Sequence, residues 1–348
     1  MSAEKSAEKP KAKKGPSLKT QLDTLAREGK SFFDQSMLQL TDMVRNWRQY
    51  RDIPKNNYAL GIDHLRRGNI KDAIVRFRFV LWLEPGHADA WYYLGRSYLA
   101  DGNKPDAHKS LAKALSYKPG NDEIIYLLAV AGGAGPLPTH IPLTLAREHF
   151  DSLAPDYNNE QLENHHYAGH TLLASALRLD LKPGRTDHII LELGTGTGLV
   201  GPLLRDIAVH ITGIDLSEKM LAEAAKLQDA NGKKTYDALA QQELSGFLPT
   251  ALPAHYDIVL SAGLFSYIGA LDGVFAQVSR ILKQDGLFAF TADKMEEGGV
   301  RFDPASARFL FSQDYLRQLA EANGFRDIHI NEASVYPAYP AWVCVFRK

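Results

Sequence analysis

Apolar and polar positions along this chain change rhythm twice. From Phe32 to Trp47 the apolar residues Phe32, Phe33, Met37, Leu40, Met43, Val44 and Trp47 recur three and four apart, which predicts one amphipathic helix over 31–50. The pattern then becomes a repeat. Leu60-Gly61 returns as Leu94-Gly95, Ala73 as Ala107, Phe77 as Leu111 and Pro85 as Pro119, each 34 residues on. Small residues at Gly61, Ala73, Gly95 and Ala107 let paired helices approach, with Leu60, Phe77, Trp91, Leu94 and Leu111 expected to fill the space between them. Pro85 and Pro119 end each unit, because proline cannot continue a helix. A third copy starts at Ile125, Leu128 and Ala129 and stops in the run Gly132 to Pro138, which reads as a linker over 132–142.

From Ile189 strands and helices alternate, which calls for a parallel sheet covered on both faces. Strands are predicted at His188–Leu193, Val209–Ile214, Thr235–Ala238, Tyr256–Ser261, Leu287–Thr291, Asp327–Ile330 and Trp342–Phe346. Helices are predicted at 199–206, 217–230, 270–282 and 312–322, with two more, Leu143–Leu153 and Gln161–Leu179, ahead of the first strand. The second repeat, Trp91-x-x-Leu94-Gly95-x-x-Tyr98 followed by Ala107, Leu111, Ala114 and Pro119, resembles the tetratricopeptide repeat. That resemblance implies an all-α helical-repeat module over 31–131 whose groove takes a protein partner or peptide. Two and a fraction copies fall short of the ~3 needed for independent stability, so helices at 31–50 and 122–131 are expected as caps. The exposed groove positions Asn57, Asp63, His64, Arg67, Arg96 and Asp101 lack a dense basic clamp.

Composition narrows the function classes. Forty Lys+Arg against 41 Asp+Glu leave a net charge of −1, so no global field draws the chain to nucleic acid or to an anionic membrane. The single cysteine, Cys344, excludes an internal disulfide and a zinc site built on paired cysteines. The longest apolar stretch is far short of the ~20 residues of a membrane span, and no secretory leader is visible, so a cytoplasmic location is expected. Residues 1–20 hold six Lys and two Glu and almost no large apolar side chains, so 1–30 is read as a disordered basic tail.

The chemistry sits after the first predicted strand, in Leu191-Glu192-Leu193-Gly194-Thr195-Gly196-Thr197-Gly198-Leu199. Glycines at alternate positions between strand and helix allow a sharp turn and close approach of a ligand to the backbone, beside a helix N-terminus. Gly196, Gly198 and Gly201 also satisfy the dinucleotide fingerprint, so the glycines alone do not choose the nucleoside. Glu192, two residues before the first glycine, suits an ammonium group rather than a pyrophosphate. Asp215 ends the second strand, where a carboxylate can accept from ribose hydroxyls. Only 133 residues follow Asp215, enough to finish one sheet and no separate domain for hydride chemistry.

With Ile214-Asp215-Leu216-Ser217-Glu218-Lys219-Met220-Leu221, Tyr256-Asp257-Ile258-Val259-Leu260-Ser261 and Leu282-Lys283-Gln284-Asp285-Gly286-Leu287, residues 143–348 resemble a class I S-adenosylmethionine-dependent methyltransferase. The repeats in front make the whole similar to bacterial methyltransferases that carry tetratricopeptide repeats. The resemblance implies a Rossmann-like α/β domain with a seven-stranded sheet whose last strand is antiparallel, and S-adenosyl-L-methionine as cofactor. It also implies the roles. Glu192 holds water or the methionine ammonium. Gly194, Thr195, Gly196 and Gly198 wrap methionine and ribose. Asp215 takes the ribose diol, and Leu216 and Met220 flank the adenine. Gln242, Glu243 and Leu244 follow strand three, with Glu243 on the adenine amino group and Gln242 close behind. Ser261 ends strand four. His149-Phe150-Asp151-x-x-Ala154 and Tyr157 belong to entrance helices over the cofactor.

The acceptor side is less legible. An Asn/Asp-Pro-Pro-aromatic motif is absent after strand four, where Ser261-Ala262-Gly263-Leu264-Phe265-Ser266-Tyr267 stands; this argues against methylation of DNA adenine or a glutamine amide. His166 and His170 in His165-His166-Tyr167-Ala168-Gly169-His170, one helical turn apart, and Tyr267 at the sheet's mouth are the catalytic candidates, and no metal site is expected. Tyr336, Tyr339 and Trp342 read as packing around a strand. Three functions follow: a methyltransferase whose repeats recruit a protein, a small-metabolite methyltransferase whose repeats oligomerise, and a non-catalytic interaction protein.

Overall fold

The computed structural model describes residues 52–132, 138–229, 231–337 and 339–348. The predicted tail, the helix at 31–50 and most of the Gly/Pro run lie outside the described residues. The chain divides into two compact units, one ending at Ala90 and one running from Trp91 to Lys348.

In the first unit α1 (Ile53–Arg66) and α2 (Ile70–Leu83) form a helical hairpin. A methyl group on Gly61 would lie 2.7 Å from Phe77 Cε1, so the glycine is what lets the two helices close. Ala73, Phe77 and Val80 are fully buried. Leu60, expected in the interior, is 45% exposed, because Gly61 occupies the contact face.

The second repeat begins with α3 (Ala88–Ala100) and pairs with α4 (Lys104–Tyr117); α5 (Asp122–Val130) follows. A methyl on Gly95 would stand 2.5 Å from Leu111 Cγ, the counterpart of the Gly61–Phe77 fit 34 residues earlier. Asn103 and Asn121 cap α4 and α5, accepting from the amides of Asp106 at 3.2 Å and Ile124 at 3.0 Å. Trp91 is only partly buried against this cluster. Arg96 is not free at a groove surface. Its guanidinium pairs with Glu148 at 2.7 Å and lies over the rings of Tyr92 and Tyr93. The boundary between the two units falls within α3, after Ala90, and in the second unit Tyr126 and Ala129 pack into the core beneath the sheet. The Tyr126 ring lies edge-on to Phe302 at 5.6 Å.

The α/β region opens with α6 (Leu143–Leu153), as predicted. The helix expected over 161–179 is divided. A π-helical turn spans Glu160–Asn164, His166 takes a left-handed φ of 52°, and α7 runs over Gly169–Asp180. Tyr167 folds inward at the break; a methyl on Gly169 would collide with its Oη.

The sheet has nine strands, not seven. β1 (His188–Leu193), β2 (Ala208–Asp215), β3 (Ala238–Gln241), β4 (Tyr256–Ser261) and β5 (Leu282–Lys294) run parallel in the order β3-β2-β1-β4-β5. β8 (Arg326–Tyr336) and β9 (Tyr339–Arg347) pair antiparallel, and β9 is antiparallel to β5, as expected of the last strand. The two additional strands, β6 (Val300–Asp303) and β7 (Arg308–Phe311), form a hairpin docked on the end of β5 through Asp293–Leu310 and Lys294–Phe311. Four residues each are too few to show alternation. β3 starts three residues later than predicted because Thr235 and Tyr236 are buried beneath the glycine loop instead of pairing with β2. One face of the sheet carries a phenylalanine core, with Phe265, Phe275, Phe288, Phe290 and Phe346 fully buried. Leu173, Leu177, Ile190 and Ile258 fill the other face.

Candidate active site

The loop after β1 is closed onto β2 by its own backbone. Gly194 and Thr195 both donate to the Ile214 carbonyl, at 2.9 and 3.0 Å. The Asp215 carboxylate then accepts from Gly196 N–H at 2.8 Å and from Ser217 N–H at 2.8 Å, one oxygen each. Gly196 has φ 56° and open space where a Cβ would stand, so its backbone conformation, not crowding, demands glycine. Gly198 is constrained both ways: φ is 86° and a Cβ would lie 2.8 Å from Tyr236 Cε2. Burial raises the Asp215 pKa, and the two backbone donors oppose that rise.

Glu192 is 2% exposed. Its Oε2 accepts from Tyr236 Oη at 2.7 Å, and Tyr236 Oη in turn accepts from Gly201 N–H at 3.2 Å. Burial pushes the carboxyl up to about 8, and the tyrosine bond pulls in the other direction.

Two ties join the end of α6 and the segment after it to the loops that follow β2 and β1. Ser217 Oγ donates to Asp151 at 2.5 Å, and Thr197 Oγ1 to Asn158 at 2.5 Å. They place Asp151 beside Ser217 after β2 and Asn158 beside Thr197 in the glycine loop. Beneath lies a cavity of about 640 Å³, a size that suits small-molecule sites. Of the predicted residues, Tyr157, Gly194, Asp215, Leu216, Gln242, Glu243, Leu244 and Tyr267 line it. Glu243 precedes the turn Leu244–Phe247 and accepts a bond from Ser245.

The remaining predicted residues stand behind the wall. Thr195 Oγ1 donates to the carbonyls of Glu192 and Ile214, at 3.3 and 3.4 Å, so its side chain serves the loop. Ser261 is fully buried and donates to the Leu193 carbonyl at 2.9 Å, locking β4 to β1. Met220 is 1% exposed. Glu192, Gly196 and Gly198 are likewise not cavity-lining residues. Neither His166 nor His170 lines the cavity. His166 is an exposed left-handed residue outside α7, so the expected shared helical face does not exist. His170 stacks on Tyr167 at 5.6 Å, and burial lowers its pKa. Among the described residues no group of three or more His, Cys, Asp or Glu is placed to hold a metal ion.

Sequence reasoning missed Tyr167, Arg308 and Tyr336, all cavity-lining. Arg308 pairs with Asp293, Nε at 2.6 Å from Oδ2, and donates to Ser266 Oγ at 2.7 Å. Its Cζ lies 5.3 Å from the Tyr336 ring centroid and 5.9 Å from that of Tyr267. Burial opposes the charge on Arg308, but Asp293 and the surrounding tyrosines more than offset it. The tyrosine run around 336 was the only local signal available.

Residues 191–288 match the methyltransferase domain family, and residues 58–131 match the tetratricopeptide repeat family. The chain is 32% identical over 165 residues to the uncharacterized methyltransferase YdaC of Bacillus subtilis, a match covering 46% of this chain and 82% of that protein. The chain belongs to the S-adenosylmethionine-dependent methyltransferases. This methyltransferase is also 28% identical over 174 residues to malonyl-[acyl-carrier protein] O-methyltransferase of Geobacter sulfurreducens. That match covers 44% of this chain and 62% of the relative, so less than two thirds of the relative's length is spanned. Magnesium protoporphyrin IX methyltransferase of Synechocystis, solved with bound SAH, aligns with 59% of the chain and 99% of its own, at 16% identity and a TM-score of 0.46.

The methyltransferase's own residues fit its cofactor, S-adenosylmethionine. Asp215 lines the cavity with lone pairs to spare after its two backbone bonds. Leu216 and Leu244 give apolar wall beside Gln242 and Glu243. No helix of the described residues is long and apolar enough to cross a membrane.

Proposed function

We propose that this chain transfers a methyl group to a small acceptor, or to a small group presented on a larger one, bound beside the cofactor. The observation that carries the reading is a single cavity bordered both by Asp215, Leu216 and Glu243 and by the Tyr157, Tyr267, Tyr336 and Arg308 set. When bound, S-adenosylmethionine supplies a methyl group on a sulfonium. Asp215 would accept from the ribose hydroxyls and Glu243 or Gln242 from the adenine amino group. The ties from Asp151 and Asn158 hold a covering segment that keeps water from the reacting atoms.

The tyrosines are donors here, not bases: burial raises the pKa of both Tyr157 and Tyr267. His166 and His170 do not line the cavity, and His140 does. The repeats are proposed to recruit a protein partner. In the first unit Leu60, Val75 and Leu83 are each more than a third exposed, which leaves apolar surface for such contact.

The test is calorimetry with S-adenosylhomocysteine, followed by tritiated methyl transfer into a host lysate separated into protein and small-molecule fractions. Binding at micromolar affinity with label in either fraction supports the reading. Absence of binding defeats it.

A further inference from the structure

Arg308 sits oddly for a purely structural ion pair. Among the described residues that line the cavity it is the only Lys or Arg, and it comes from β7, the strand added beyond the expected sheet. Burying a guanidinium in an apolar site is costly unless its donors are satisfied. Nη2 donates to both Ser266 Oγ and Asp293 Oδ1, whereas Nε, though 2.6 Å from Asp293 Oδ2, makes no hydrogen bond among the described residues. The Tyr336 hydroxyl also shares a hydrogen bond with the guanidinium. A brace between β7 and β5 would explain Asp293. It does not explain why Tyr267 and Tyr336 flank the guanidinium at the cavity wall.

A second observation points the same way. Tyr167 is 8% exposed and lines the same cavity, and its hydroxyl has no hydrogen-bond partner among the described residues. Its ring centroid is 5.1 Å from that of Tyr336, whose own ring lies under Arg308. An unsatisfied buried hydroxyl is rare in a native interior. A cation and a hydroxyl without a partner among the described residues thus border a largely apolar space.

We propose that the acceptor carries a carboxylate on an apolar body, gripped by Arg308, with the Tyr167 hydroxyl as a second donor. Asp293 and Ser266 are positioning residues that hold the guanidinium by one edge, so the other edge meets the ligand. Tyr267 and Tyr336 fix its plane and exclude water, which strengthens a charge-assisted bond. The inference rests on the cavity being the acceptor site, as proposed above.

The test uses the full chain saturated with S-adenosylhomocysteine and titrates two probes of one shape, 4-phenylbutyrate and 4-phenylbutan-1-ol, by calorimetry. The carboxylate is expected to bind at least tenfold more tightly than the alcohol. Arg308→Gln should erase that preference while leaving alcohol binding within about twofold. The double variant Asp293→Asn with Arg308→Gln removes the orphaned carboxylate that the single change would bury, and should behave the same way. Tyr167→Phe, which deletes a hydroxyl the fold does not use, should weaken the carboxylate probe two- to fivefold. Equal binding of the two probes, no binding of either, or a preference that survives both Arg308 variants overturns the proposal. Failure of S-adenosylhomocysteine to bind the unmodified chain would instead overturn the proposed function, and is read in a separate titration.

Discussion

Glu192 offers a test in which sign and size both follow from the structure. Its carboxyl is buried, its only described partner is the Tyr236 hydroxyl, and its pKa rises from 4.5 to about 8. Below pH 4.5 the group is neutral in both folded and unfolded chains and costs nothing. As pH climbs, the unfolded chain ionises first, so stability falls through the window from 4.5 to about 8 and levels off above it. At 1.36 kcal/mol per unit the full interval is roughly 5 kcal/mol, of which about 3 kcal/mol falls between pH 5 and pH 8. Glu192→Gln keeps an oxygen to accept from Tyr236 and cannot titrate. In urea unfolding without cofactor, the unmodified chain should therefore lose about 3 kcal/mol relative to the variant over that range.

His149, His170 and His188 also titrate in or near this window, with pKa values lowered by burial. They act in the opposite sense, costing stability at low pH and releasing it as pH rises, but they are common to both proteins and cancel in the difference. Parallel pH profiles, agreeing within about 1 kcal/mol, would refute the buried-acid reading of Glu192.

Asp215→Ala should weaken S-adenosylhomocysteine by roughly ten- to a hundredfold in calorimetry, the worth of one charge-assisted bond of ~1.5–3 kcal/mol. Gly95→Ala forces a methyl to within 2.5 Å of Leu111 Cγ and should lower stability by about 1–3 kcal/mol in thermal melts. Tyr126→Ala should cost about 3–5 kcal/mol, as other large-to-small changes of buried aromatics do, since the ring packs on Phe302. A chain starting at residue 87 is expected to stay soluble and bind S-adenosylhomocysteine, whereas one starting at 140 should lose yield and thermal stability.

The parts of this molecule that could be read from sequence are those in which local chemistry and fold make the same demand. The glycine loop, the acid ending β2 and the 34-residue offset each declare themselves within a few residues, and β1 and β4 were legible because buried parallel strands are continuous apolar runs. The proposed acceptor wall obeys a different logic. Tyr157, Tyr167, Tyr267, Arg308 and Tyr336 stand 179 positions apart from first to last and meet only because β7 docks on the end of β5 while β8 returns beside β9. Arg308 lies in Ala307-Arg308-Phe309-Leu310-Phe311, which by itself is a short strand with one charge, a common edge feature. His166 and His170 failed for the converse reason. Their spacing was a helical argument, and Tyr167 breaks the helix between them to reach the cavity. The residue at that break is the same one whose hydroxyl, without a partner among the described residues, enters the proposed acceptor site.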